Sequence, residues 1–341
     1  MDVYLSCYDF RLGELPIPRS NVYYHLRRLR SSSVAVHTKY LKPLDIDVMV
    51  GVRYDRRLAY KLLSIRPRTE ELGALGFPEP DFLFGVSAHV DGHVIAVYYQ
   101  PPGIRIVDER GFFDRFWLAH QYPVQNCLGR REASEEAAEA LAGRLNTLQS
   151  VGRLSLRMPA LAYLILAVLD TKPLASLRDL SLIAEAAKAR ELIETGLMIK
   201  LKYLQRYYRN LSRAFVAGRA VVYPREWRNL VRVTIVAPKH CKKLVYGAAS
   251  ATLVTPHVFI PDIGVDGDVV AHMALPPHEL DAIIELFFRL CPDSTTMLRL
   301  RSIMFPFPYE RFDPIRNRWD VTHHKEFLMA IQRMRVAASQ L

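Results

Sequence analysis

Two blocks of the sequence show nearly the same pattern of apolar and polar positions. Short apolar runs bounded by Gly, Pro, Asn or Asp indicate strands, and apolar residues spaced at i, i+4 and i+7 indicate amphipathic helices. Both blocks predict the order strand, helix, strand, strand, helix, strand. The first has strands at 48–54, 82–89, after Gly92 and at 124–128, with helices at 56–65 and 104–120; the second has strands at 230–236, 253–260, 269–275 and 297–303, with helices at 239–249 and 279–290.

The clearest internal repeat is Asp91–Pro102, which returns as Asp266–Pro277. Six of its positions are identical at one offset (266 − 91 = 175), and the same offset places Phe112–Phe113 on Phe287–Phe288. Asp-Gly between two apolar runs predicts a tight hairpin turn, because both central residues of such a turn need positive φ. The repeat predicts that the chain is a tandem duplication.

The stretches that precede the two blocks are basic and amphipathic. In the second, Lys202, Arg206, Arg209 and Arg213 follow one stripe of a predicted helix, opposite a leucine stripe. A short alternating run follows each stretch, at 34–41 and 216–223, as a β-wing would. A basic helix followed by a wing indicates a winged helix-turn-helix, whose recognition helix enters the major groove. The predicted DNA-binding residues are Arg19, Ser20, Asn21, Tyr24, Arg27, Arg28, Lys200, Lys202, Arg206, Arg209, Arg213 and Arg219.

Composition favours a polyanionic partner. The mean hydropathy of +0.02 suits a globular protein. The net charge of +11 favours nucleic acid as the first candidate partner and a membrane surface as the second. The longest apolar run is too short for a membrane span, and the N-terminus lacks a basic segment typical of a secretory signal. The four cysteines form no Cys-x-x-Cys pair, which argues against a zinc site or a disulfide framework and predicts a cytoplasmic protein.

These features resemble those of the Lrp/AsnC (feast/famine) regulators of archaea and bacteria. The segment Ile17–Leu29 resembles their recognition helix, and Val34–Pro43 resembles the wing strand that enters the effector domain. The resemblance implies a transcriptional regulator that binds double-stranded DNA, responds to a small effector such as an amino acid, and pairs through ferredoxin-like domains as a homodimer. It implies no catalytic residue, no cofactor and no metal. Family members usually carry one module per chain, whereas this chain is predicted to hold two.

The predicted fold class is α+β: two repeats of a winged helix-turn-helix followed by a ferredoxin-like βαββαβ domain. The predicted boundaries are 1–45 for a partial winged helix-turn-helix, 46–150 for the first effector-type domain, 151–226 for the second winged helix-turn-helix, and 227–341 for the second effector-type domain with a C-terminal helix. The predicted function is a non-enzymatic DNA-binding regulator.

Two alternatives remain open. The paired architecture also resembles the siroheme decarboxylases, in which a basic cleft would suit a tetrapyrrole carboxylate. That resemblance places His89, His93, Arg105 or His257 near the cleft, although no histidine recurs between the halves: His93 corresponds to Asp268. His272, within an apolar strand, is interpreted as a half-buried histidine with a hydrogen-bond partner. The other alternative is a sensing or dimerisation protein whose DNA-binding units have decayed.

Overall fold

The computed structural model describes residues 45–122, 230–251, 257–262 and 264–305, the segments 33–36, 204–208, 221–224, 311–313 and 318–319, and a few isolated positions. The first half contributes β2 (Asp47–Tyr54), α1 (Arg56–Ser64), α2 (Thr69–Ala74), β3 (Leu83–His89), β4 (His93–Gln100) and β5 (Arg115–Tyr122). The second half contributes β7 (Val231–Pro238), α3 (Lys242–Ala251), β8 (His257–Pro261), β9 (Asp268–Leu275), α4 (Pro277–Leu290) and β10 (Thr295–Met304). Two smaller antiparallel pairs are β1 (Ser33–Val36) with β6 (Val221–Pro224), and β11 (Phe312–Asp313) with β12 (Arg318–Trp319).

Eight strands form a closed antiparallel barrel in the order β10-β3-β4-β2-β5-β8-β9-β7. Each half supplies four neighbouring strands, and β9 lies at β4 plus the offset found in the sequence (268 − 93 = 175). Two seams join the halves. At one, Tyr122 of β5 pairs with Val258 of β8; at the other, Ser87 of β3 pairs with Ser302 of β10. The barrel therefore depends on both halves.

The predicted fold class is wrong. Neither half is a separate open ferredoxin-like sheet, because the outer strands of each half pair with those of the other and leave no free sheet edge. The two predicted wings are not separate either, because Val34 pairs with Tyr223 and the wing strands form one antiparallel pair. Most of the helices predicted to accompany them lie outside the described residues. The boundaries after residues 45, 150 and 226 are not tested and stay a prediction.

Two local predictions fail in the first half. The helix predicted at 104–120 is a loop followed by β5. Asp108 anchors that loop, because its carboxylate accepts hydrogen bonds from the backbone N–H groups of Phe112 and Phe113 at 2.7 and 2.8 Å. Gly103 and Gly111 have φ of +78° and +59°, which a right-handed helix excludes. A short helix, α2, lies between α1 and β3, where no helix was predicted, and the strand predicted at 124–128 lies outside the described residues.

The Asp-Gly repeat forms a tight turn only in its first copy. Gly92 has φ of +101°, and the Asp91 carboxylate accepts a hydrogen bond from the backbone N–H of His93. In the second copy a longer loop joins β8 to β9, and Gly264 rather than Gly267 has positive φ. The Trp117 ring packs against Gly267 and occupies the space that a Cβ would need. The close packing of Trp117, rather than a tight turn, therefore requires glycine at position 267.

The helices pack on the outside of the barrel. Asp55 caps α1 by accepting a hydrogen bond from the backbone N–H of Leu58, and Leu58 and Leu62 are buried beneath that helix. In α4 the buried side chains are Ile283 and Phe287. Within the described part of the chain, no helix is long and apolar enough to cross a bilayer.

The expectation that the cysteines stay unpaired is also wrong. Cys241 and Cys291 form a disulfide with a Cα–Cα distance of 6.2 Å. It connects the turn before α3 to the residue that follows α4. The two cysteines are 50 residues apart in the sequence, so only the packing of the helices brings them together.

Candidate functional site

A row of polar residues crosses four adjacent strands of the barrel. His257 of β8 pairs with His272 of β9, and His272 pairs with Thr234 of β7. Directly paired residues present their side chains on the same face of a sheet. On the next strand, β10, Met297 pairs with Thr234, and Arg299 lies two positions further on, on the same face.

Contacts that skip a strand show that this face is the inside of the barrel. The imidazole of His89 on β3 is hydrogen bonded to the hydroxyl of Thr234 on β7, 2.8 Å away, although β10 lies between these strands. Arg299 of β10 donates to the backbone carbonyl of Met273 on β9 at 2.6 Å, across β7. Side chains on two strands that are separated by a third strand come this close on the concave, inner side of a closed barrel. Both His89 and Thr234 are fully buried.

Arg299 is a cation without a carboxylate partner among the described residues. Its guanidinium donates to the Met273 carbonyl and to the Ser302 hydroxyl, and its Nε is buried with no hydrogen-bond partner. Burial, followed by the positive charge of Arg232, lowers the pKa of Arg299 to about 10, so the group stays charged at neutral pH. Buried cations are normally paired with an anion or bind one. Arg299 is therefore a candidate anion-binding group.

The three interior histidines are neutral at pH 7. Burial lowers the pKa of His89 to about 4, and it does the same to His257, where the positive charge of Arg299 adds to the effect. The pKa of His272 is lowered well below its usual value by burial and then by Arg299. His257 and His272 nevertheless keep part of their surface accessible, unlike His89. Of the three interior histidines, these two retain exposed surface.

Hydrogen bonds fix the tautomers of His89 and His272. The backbone carbonyl of His93 can only accept, so His89 donates to it from Nδ1, at 3.0 Å, and keeps a lone pair on Nε2. Thr234 then donates its hydroxyl proton to His89 and accepts from Nδ1 of His272, at 2.9 Å. This leaves Nε2 of His272 as a free basic nitrogen. The chain of three groups orients a histidine that can take up and release a proton.

His257 is the opposite tautomer, with its proton on Nε2 instead of Nδ1. Its Nδ1 accepts from the Gln121 amide nitrogen at 3.1 Å, so the proton of the neutral ring is on Nε2. The amide oxygen of Gln121 is buried with no partner. His257 and His272, which pair across β8 and β9, thus offer a donor and an acceptor side by side.

Aromatic side chains line the same interior. The ring of Phe84 on β3 lies 5.1 Å from the imidazole of His257 and 5.9 Å from the ring of Phe259, both on β8. Phe84 also contacts Tyr99, at 5.2 Å. Phe259 in turn lies 5.9 Å from His272. The interior combines one cation, two accessible histidines and an apolar aromatic wall, which suits an aromatic or conjugated anion.

The free energy of unfolding is expected to fall on acidification below the usual histidine pKa of 6.5. Because the pKa of buried His89 is about 4, the unfolded chain binds the extra proton between these two values and is favoured. Above pH 6.5 the imidazole is neutral in both states and contributes no pH dependence. For His89 alone the loss amounts to roughly 3 kcal/mol. Urea unfolding measured between about pH 8 and pH 4 checks this slope.

The variants His89→Gln and His278→Gln separate this effect from general acid sensitivity. His278 is exposed at the start of α4, so its replacement should leave the slope unchanged. The His89→Gln variant should lose part of it. An equal slope in all three proteins would contradict the assignment.

The predicted site residues are only partly brought into this site. His89 and His257 lie in it. His93 lies at the hairpin turn and pairs with Asp91 at 2.7 Å, and Arg105 is exposed on the loop before β5. His272 is half-buried and hydrogen bonded, as interpreted, but its place in the site was missed, together with Thr234, Gln121 and Arg299. A polar residue within an otherwise apolar strand was the signal that could have identified Thr234 and His272.

The predicted DNA-binding residues lie elsewhere. Ser20, Asn21, Tyr24 and Arg206 are exposed, and Leu204 on the same helix as Arg206 is buried, as its leucine stripe predicted. The others fall outside the described residues: Arg19, Arg27, Arg28, Lys200, Lys202, Arg209, Arg213 and Arg219.

No family model and no curated protein matches the chain. Among solved structures it is similar to the siroheme decarboxylase NirDL, with 11% identity and a TM-score of 0.43 over 97% of this chain and 92% of that chain. It is also similar to that enzyme in co-complex with an iron-uroporphyrin III analogue, with 12% identity and a TM-score of 0.41 over 96% of this chain and 92% of that chain. At these values the similarity assigns neither a family nor a function.

The prediction that the chain resembles an Lrp/AsnC regulator is wrong. Neither similar structure is of a regulator, and a closed barrel replaces the repeated architecture that the resemblance implied. The interpretation as a DNA-binding transcriptional regulator rested on that membership and on two separate wings, and it is withdrawn because the wing strands pair with each other. Both similar structures are of an enzyme, whereas we expected a non-enzymatic protein.

Proposed function

We propose that this protein is a decarboxylase that binds an organic carboxylate inside the barrel. The observation that carries the proposal is the unpaired guanidinium of Arg299 beside accessible, neutral histidines. A substrate carboxylate would supply the anion that the described residues do not provide. Charge-assisted hydrogen bonds between a guanidinium and a carboxylate are among the strongest that proteins make.

Decarboxylation needs three things from its surroundings: a fixed carboxylate, a place for the electron pair, and a proton. In this proposal Arg299 holds the carboxylate. The carbon–carbon bond to that carboxylate breaks, CO2 leaves, and the electron pair stays on the substrate carbon, where a conjugated ring of the substrate delocalises it. His272, protonated on Nε2, then delivers the proton that replaces CO2. Solvent returns a proton to His272 for the next cycle.

Substrate binding itself would charge His272. In the structure, the positive charge of Arg299 is one of the causes that keep the pKa of His272 low. A bound carboxylate cancels that charge and adds a negative one nearby, so the pKa of His272 rises and the ring takes up a proton. His257 supports this step, because its Nε2–H can donate to a second oxygen of the substrate.

A tetrapyrrole carboxylate is the substrate class we propose. Such a molecule combines a conjugated ring that accepts the electron pair with several carboxylate side chains. The aromatic wall formed by Phe84, Phe259 and Tyr99 suits a flat ring, and the net charge of +11 favours a polyanion.

Incubating the purified chain with siroheme under anaerobic conditions tests the proposal. The expected products are CO2 in the headspace and a tetrapyrrole lighter by one or more CO2 in mass spectrometry. Calorimetry in two buffers of different ionisation enthalpy should show proton uptake on binding. Absence of both binding and CO2 release with a set of tetrapyrrole polycarboxylates would remove the substrate class; binding without CO2 release would remove the reaction.

A further inference from the structure

A second cluster of reactive side chains lies outside the barrel interior. His240 and Cys241 precede α3, and Cys291 follows α4. One ligand atom from each residue, an imidazole nitrogen or a sulfur, lies within 4.8 Å of the other two. Two sulfurs and one imidazole nitrogen are the donor set of zinc sites that keep a fourth position open for water.

Local structure holds the three residues in place. Lys239–Cys241 form a single 3-10 turn that leads into α3, so Cys241 lies at the N-terminus of that helix. The backbone N–H of Cys291 donates to the carbonyl of Phe287 at 2.8 Å, which fixes Cys291 at the end of α4. Both cysteines are buried, and His240 is exposed. A metal ion would therefore enter from the His240 side.

Basic residues and the start of a helix lie next to these ligands in the sequence. Lys239, Lys242 and Lys243 flank His240 and Cys241 in the sequence, and α3 begins directly after Cys241. The thiolate is the form of cysteine that binds metals. Two thiolates also neutralise a divalent zinc ion, so the site would carry no net charge of its own.

We propose that His240, Cys241 and Cys291 form a redox-controlled zinc site. In the oxidised protein the two cysteines form the disulfide. A dithiol reductant transfers two electrons and two protons to it, which breaks the S–S bond, yields two thiols and oxidises the reductant to its own disulfide. Zn²⁺ then displaces the two thiol protons and takes His240 as its third protein ligand. Zinc binding and disulfide formation exclude each other, and neither depends on the proposed decarboxylase site.

Zinc competition tests the proposal. The full chain is reduced with a phosphine, freed of metal under argon, and titrated with Zn²⁺ in the presence of a chromophoric chelator. One zinc ion is expected per reduced chain and none per oxidised chain. The His240→Ala variant should bind zinc roughly tenfold or more weakly, since it loses a ligand. Co²⁺ in place of zinc should give the absorption bands of tetrahedral thiolate coordination.

Two control variants identify the ligands. Cys7→Ser/Cys127→Ser removes the other two cysteines and should bind zinc like the wild type. His278→Ala removes an exposed histidine at the start of α4 and should also leave affinity unchanged. Cys291→Ser should abolish binding. The proposal is overturned if the reduced wild type binds no zinc, or if His240→Ala and Cys291→Ser bind it as tightly as the wild type.

Discussion

Replacing Arg299 with methionine should lower kcat/KM for the carboxylate substrate by roughly a hundredfold to several-thousandfold. The estimate follows from about 3–5 kcal/mol for leaving one member of a buried charge pair without its partner, at about 1.4 kcal/mol per factor of ten. In this variant the substrate carboxylate would be the unpaired member. Steady-state kinetics and the dissociation constant of a non-reactive carboxylate analogue measure the loss.

Stability should respond differently from activity. Arg299 is a half-buried cation without a described carboxylate partner, so methionine removes a desolvation cost at the expense of the hydrogen bonds to the Met273 carbonyl and the Ser302 hydroxyl. We expect the free energy of unfolding to stay equal or to increase. The pKa of His257 should rise from about 4, because Arg299 is one of the causes that lower it. NMR titration of the imidazole signals measures that change.

Arg232→Met is the matched control. Arg232 lies on the adjacent strand β7 and is exposed, so its removal takes away one positive charge near Arg299 while the hydrogen bonds of Arg299 remain. Its kcat/KM should fall far less than that of Arg299→Met. If Arg299→Met binds the analogue as tightly as the wild type does, Arg299 is not the carboxylate anchor.

The second large effect is expected for His272→Gln. Glutamine can keep a hydrogen bond to Thr234 but cannot deliver a proton, so kcat should fall by about a hundredfold to ten-thousandfold while analogue binding is retained. The reason is the hydrogen-bond chain, which leaves Nε2 of His272 as the free nitrogen. Single-turnover measurements of CO2 release separate this loss from slow product release.

Thr234→Val tests whether orientation of His272 matters. Valine keeps the shape of threonine but removes the hydroxyl that links His89 to His272. We expect a smaller loss of kcat, about tenfold, with a shifted pH profile because both imidazoles lose a fixed partner. A His272→Gln variant with unchanged kcat would show that another group delivers the proton, and His257 would be the next candidate.

Local sequence pattern was sufficient for most strands and helices. The predicted strands at 48–54 and 82–89 correspond to β2 and β3, and the helix at 279–290 corresponds to α4. It failed at 104–120, where helix-compatible residues form a loop held by Asp108 and then β5. The contacts that decide the conformation there are the hydrogen bonds from the backbone N–H groups of Phe112 and Phe113 to the Asp108 carboxylate, and the spacing of apolar residues gives no information about them.

The site was less predictable than the elements. His89 and His257 were named from the sequence only through the resemblance to siroheme decarboxylases, and His272, inside an apolar strand, was interpreted as structural. Arg299 could not be named, since it lies in a strand with Arg301 and alternates with exposed leucines. Nothing in that pattern distinguishes the arginine that points inward. Only the pairing of β10 with β3 and β7 shows it.

Turn chemistry and hydrophobic periodicity, which act over a few residues, determined where most strands begin and end and identified the tight turn between β3 and β4. The tertiary structure alone decided that the two halves close into one barrel. It also brought His89 to Thr234, 145 residues away, and Cys241 to Cys291. The physical reason is that strand pairing and side-chain burial across a seam depend on which edges meet in space, and backbone hydrogen bonds at a strand edge carry no information about their partner.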